Sequence, residues 1–145
     1  GLEAASLARR VADSWGSQYA RMIIARDHTC ALAALDRADE IAPELAFLRE
    51  NKAESYTLAA QALLCVEERA EAVNLLLEGI ADKPNRSQVL GDLQPRTFDL
   101  FYTPSKLPHP VELLDESAEL QAAFEQYARV IPEEFTPTAS ILANR

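Results

Sequence analysis

Apolar residues recur at steps of three and four along most of this chain. Between Leu2 and Arg26 they fall at Leu7, Ala8, Val11, Trp15, Tyr19, Met22 and Ile23, which is one face of a helix. Gly16 is expected to interrupt that helix and to mark a close approach by a neighbour. The segment "RDHT" then breaks the pattern, with Asp27 or Thr29 placed to cap a second helix carrying Ala31, Leu35, Ala38 and Ile41 as far as Pro43. Pro43 can end one helix and begin another, because proline is tolerated in a first turn. A long third helix is predicted over 44–67, with Leu45, Leu48, Tyr56, Ala59, Ala60 and Leu63 in phase. A fourth runs from the turn at Glu67 and Glu68 to Pro84. The turns are short, so the pairs should fold back antiparallel. The texture changes after Asn85, where Pro95, Pro104, Pro108 and Pro110 forbid a long helix, and helical spacing resumes only at 111–131.

These elements predict an all-α protein, and their phrasing repeats. Shifted by 41 residues, Trp15 meets Tyr56, Met22 meets Leu63, Ala31 meets Ala72, Leu35 meets Leu76, Ala38 meets Gly79 and Pro43 meets Pro84. The order of an aromatic, an Ala-x3-Leu pair and a closing proline, seen twice within 12–84, resembles the tetratricopeptide repeat family. Gln18–Tyr19 and Ala59–Ala60 stand where that family has Leu-Gly, Met22 and Leu63 replace its Tyr, and a period of 41 exceeds its 34. The resemblance implies antiparallel helix-turn-helix repeats stacked as a short right-handed superhelix with a C-terminal capping helix. The expected organisation is two helical hairpins in 1–84, a proline-rich connection in 85–110, a capping helix or degenerate third repeat in 111–131, and a tail in 132–145.

In that family the first helix of each pair lines a groove. Helical spacing maps this face to Asp13, Gly16, Ser17, Ala20 and Ile23, and then to Glu54, Thr57, Gln61 and Leu64. Ala20, Ile23 and Leu64 are equally expected as packing residues between helices. Acids at Asp13 and Glu54, without Lys or Arg, disfavour the acidic-tail clamp of some relatives and suit a neutral, apolar or basic segment. Phe98, Phe101 and Tyr102 in "RTFDLFY" are expected to cover an apolar end of the stack, or else to form a partner-contacting loop that can lie in the groove.

Charge and chemistry narrow the function. The formal charge of −9 divides as about −1 over 1–43, −4 over 44–84 and −4 over 85–145, so no segment is basic and nucleic acid is not an expected partner. No apolar run reaches the length of a membrane span. With His28 and His109 as the only histidines, neither a metal centre nor a catalytic constellation is expected, and no cofactor is called for. Cys30 and Cys65 sit in apolar helical patterns and are expected as two buried, reduced thiols of a cytoplasmic protein. The opening "GLEAAS" lacks an initiating Met, as in a domain excised from a longer chain, from which a leader could also have been removed. The expected function is non-enzymatic binding of a peptide or helix from a protein partner. A regulatory or docking domain cut from a larger enzyme or transcription regulator is the alternative, and self-association through end helices is the third expectation.

Overall fold

The computed structural model describes residues 7, 16–94, 107–132 and 135. Asp13, Trp15, Phe98, Phe101 and Tyr102 lie outside the described residues. Those described fold into seven α-helices with no strand among them: α1 (Gln18–Ala34), α2 (Ala42–Glu50), α3 (Tyr56–Cys65), α4 (Arg69–Ala81), α5 (Arg86–Asp92), α6 (Glu112–Glu116) and α7 (Ala118–Glu125). Single 3-10 turns at Ala38–Glu40 and Lys52–Glu54 precede α2 and α3.

Serine hydroxyls start three of these helices. Ser17 accepts a hydrogen bond from Ala20 N at 3.2 Å, Ser55 from Leu58 N at 3.3 Å, and Ser117 from Leu120 N at 3.2 Å. Each satisfies one of the amide donors that a helix leaves without an internal partner. Pro43 lies in the first turn of α2, where its missing N–H is harmless.

Several expected boundaries move. Gly16 stands before the Ser17 cap and does not interrupt α1, and α1 runs straight through "RDHT" to Ala34. Asp27 and Thr29 can cap a helix, but neither is a strong breaker inside one. Met22, Ala25 and Leu32, buried against the rest of the core, hold the helix continuous. The long third helix is instead two, divided where Asn51 closes α2 by donating its side-chain amide to Phe47 O at 2.8 Å. The segment 85–110 is not wholly a connection, since it opens with α5. The expected helix over 111–131 is two short helices broken at Ser117.

Both hairpins are antiparallel; the second pairs the helices expected, whereas the first pairs α1 with α2, a helix expected as the start of the next element. Gln18 at the start of α1 donates to Asn51 at the end of α2, and Tyr56 at the start of α3 donates its hydroxyl to Asp82, just past α4, at 3.3 Å. The first helix of each hairpin packs on that of the other: α1 contacts α3 as well as α2, and α3 contacts α4. The register between hairpins is 31 residues. Leu35 N and Arg37 N both donate to Leu32 O, at 3.1 and 3.0 Å, while Asp36 N donates to Ala33 O at 3.1 Å. Thirty-one positions on, Val66 N and Glu68 N donate to Leu63 O at 3.1 and 3.0 Å, and Glu67 N to Leu64 O at 3.2 Å. Asp36 and Glu67 take the left-handed conformation, with φ of 56° and 62°. These are two copies of one helix-terminating turn. Burial follows the same shift, pairing Ala25 with Tyr56, Thr29 with Ala60, Leu32 with Leu63, Ile41 with Ala72 and Leu45 with Leu76.

The 41-residue overlay therefore matches the wrong positions. It sets Leu35, 56% exposed at the end of α1, on Leu76, which is fully buried in the middle of α4. It also equates Pro43, inside the first turn of α2, with Pro84, beyond the end of α4.

The remaining helices close the open side of the second hairpin. α5 packs on α3 and α4, and α7 packs on α4 and α6, burying Val89, Leu113, Leu120 and Phe124. Gln94 ties the end of α5 to the chain after α7, donating to Arg129 O at 3.1 Å and accepting from Ile131 N at 3.0 Å. The Arg86 guanidinium lies 4.1 Å from the centre of the Tyr127 ring.

Candidate functional site

The residues expected to line a groove divide into two groups. Ser17 is committed to capping α1, Gly16 precedes it, and Glu54 is exposed in the turn before α3, so these three sit at the N-terminal ends of the two first helices. Ala20 and Ile23 are half-buried on α1. Along α3, Thr57 donates its hydroxyl to Asp92 Oδ2 at 2.7 Å, holding α5 against the helix. Burial pushes the Asp92 carboxyl above its ordinary range, and the Thr57 hydrogen bond pulls it partly back. Gln61 accepts from the Arg26 guanidinium of α1 and donates to Pro108 O at 2.8 Å. Leu64 is buried, at 2% exposure. The α3 part of the expected face is thus occupied by the chain itself, through α5 and the segment around Pro108.

Beyond Gln61, towards the C-terminal ends of α1 and α3, lies an open cleft of about 750 Å³. Ala31 and Ala34 of α1, Leu64 of α3, and Leu107 and Pro108 of the seated segment form its apolar walls, with Asp27, Glu67, Arg69 and Glu112 around them. The cleft is also lined by a disulfide. Cys30 and Cys65 are bonded, with Cα atoms 5.1 Å apart, so the expectation of two reduced thiols does not hold. The register explains why they meet. Cys65 corresponds to Ala34, one helical turn past Cys30 on the same side of α1, so the two cysteines face each other where the paired helices touch. Sequence reasoning could reach this only with the 31-residue register in hand.

Charge pairing around the cleft is uneven. Arg26 holds Asp27 at 2.8 Å. Arg69 grips Glu116 with two hydrogen bonds, of 2.8 and 2.6 Å, and that bonding raises the guanidinium pKa further above its already high value. Arg69 also lies 4.0 Å from Glu67, whose side chain is 84% exposed, so one guanidinium is shared by two carboxylates. With the exposed Glu112 beside them, the rim carries excess negative charge. Elsewhere, His28 Nδ1 lies 2.9 Å from Oε1 of Glu44, a carboxylate buried at 3% exposure where the second hairpin has Leu75. Among the described residues no three His, Cys, Asp or Glu side chains are grouped to hold a metal ion, and no helix is long and apolar enough to cross a membrane.

No protein-family model matches the chain, and neither a curated protein nor a solved structure matches it.

Proposed function

We propose that the chain is a helical-repeat interaction module, similar to tetratricopeptide repeats, that binds a peptide or helix of a protein partner without catalysing a reaction. The observation that carries this reading is the seating of the chain's own segment: Gln61, on the face expected to bind, donates to the main-chain carbonyl of Pro108. A side chain that donates to a main-chain carbonyl can hold an extended segment whatever its sequence, because every residue carries that acceptor. The 31-residue register supports the resemblance as well, being nearer the family's 34 than 41 is. In this reading the cytoplasmic expectation gives way to an oxidising compartment, where a disulfide between packed helices persists.

The test is affinity capture from an extract of the source cells, with bound proteins identified by mass spectrometry. The baits are the wild-type chain and the single variants Ala20→Arg and Ala34→Arg, each shown folded by circular dichroism. A protein held by the wild type and lost by either variant supports the reading. The same proteins held by all three baits, or none held by the wild type, overturns it.

A further inference from the structure

We infer that the cleft at the C-terminal ends of α1 and α3 receives a basic side chain, Lys or Arg, presented by an extended segment of a partner protein. This rests on the interaction-module reading and gives its partner a chemistry. Three features of the cleft converge on it, the first being shape. A volume of about 750 Å³ bounded by Ala31, Ala34, Leu64, Leu107 and Pro108 accommodates a side chain with its flanking backbone, and its apolar walls suit the methylene stem of Lys or Arg.

The second feature is the direction of the helices. α1 ends at Ala34 and α3 at Cys65, and both residues line the cleft, so two helix C-termini meet there. The peptide dipoles of each helix place partial negative charge at that end, where a cation is stabilised. The third is the rim. Arg26 pairs with Asp27, and Arg69 is shared between Glu116 at 2.6 Å and Glu67 at 4.0 Å. The two arginines do not balance the carboxylates of Asp27, Glu67, Glu112 and Glu116, so the rim is negative. All three favour a positive head above an apolar stem and oppose an acidic one.

Leu107 and Pro108 form a wall of the cleft from an extended piece of this chain, with Pro108 O already held by Gln61. A partner segment lying beside that wall would insert its basic side chain towards the helix ends, with the Cys30–Cys65 bond as part of the floor.

The experiment uses fluorescein-labelled octapeptide pools, randomised except for one position fixed as Lys, Arg, Glu, Leu or Ala, with binding to the 145-residue chain followed by fluorescence anisotropy at physiological salt. The Lys and Arg pools are expected to bind at least about tenfold more tightly than the Glu pool. The double variant Glu67→Lys, Glu112→Lys should erase that preference. The control Asp39→Lys, Glu50→Lys makes the same change of net charge at exposed acids outside the cleft and should keep it. Loss of the preference in both variants overturns the inference by assigning it to overall charge. Binding of wild type that shows no basic preference, yet is lost in Ala34→Arg, overturns the basic-ligand inference and leaves the interaction-module reading standing. No binding by any pool overturns both.

Discussion

Two glycines of this chain have opposite roles, and the difference is a matter of ångströms. A Cβ built on Gly79 would lie 2.8 Å from Tyr56 Cγ and 2.8 Å from Val89 Cγ2, so the bare backbone of α4 is what lets α3 and α5 approach it from two sides. Gly79→Ala gains about 1 kcal/mol of helix propensity but forces a buried ring and a buried valine apart, at about 1–3 kcal/mol. The net expectation is a loss of about 1 kcal/mol in urea unfolding. A Cβ on Gly91 meets nothing within 4 Å, so Gly91→Ala should stabilise α5 by up to about 1 kcal/mol in the same assay. Asp92 gives a pH signature. Its carboxyl titrates above the ordinary range in the folded chain because burial disfavours its charge, so the folded state takes up a proton more readily than the unfolded one. The charged form therefore costs stability at neutral pH, and that cost fades as pH falls through the raised pKa. Asp92→Asn keeps an acceptor for Thr57 and should melt higher than wild type at pH 7, with the advantage shrinking towards pH 4. None of this was legible in the sequence, where Gly79 was simply a small residue set over Ala38 and Asp92 had no partner.

At the scale of elements, the sequence was informative about what exists and misleading about where it begins. The all-helical class, the second antiparallel pair and the turn at Glu67 and Glu68 could be read from apolar spacing and short connections. The position of the first turn could not. Asp36 occupies the left-handed conformation usually given to glycine, so nothing marked "LDR" as a helix end, while "RDHT" offered capping residues that the core overrode. Misplacing that turn made the 41-residue overlay attractive and hid the 31-residue register. The two copies of the turn should respond alike. Asp36→Gly and Glu67→Gly each relieve a strained backbone of about 1 kcal/mol, less what glycine's extra freedom returns to the unfolded chain. Each should raise the urea midpoint slightly and by a similar amount, and because the two helix ends are joined by the Cys30–Cys65 bond the double variant measures how far the turns are coupled.

On the scale of the whole molecule, the expected binding face was partly legible and its use by the chain itself was not. Thr57 and Gln61 lie on the face that helical spacing indicated, yet each holds a segment from much further along, Asp92 and Pro108. Helical periodicity carries no information about contacts 35 or 47 residues away. The disulfide is a contact of the same kind, and it is the strongest single constraint on the fold. Closing a loop of this length removes conformational entropy from the unfolded chain, so Cys30→Ser with Cys65→Ser should cost about 3–4 kcal/mol in urea unfolding. Reducing the wild-type chain should reproduce most of that loss.

The Cys30–Cys65 bond also fixes how the chain carries load. Tension applied at the two termini passes from α1 through sulfur to Cys65 at the end of α3 and on towards α4. The 35-residue span between the cysteines, which includes the whole of α2 and α3 up to Cys65, is therefore shielded from it. At about 3.4 Å per extended residue, that span hides roughly 120 Å of contour length until a reductant arrives. A protein stretched between two anchors would thus hold that length as slack released by chemistry and not by force.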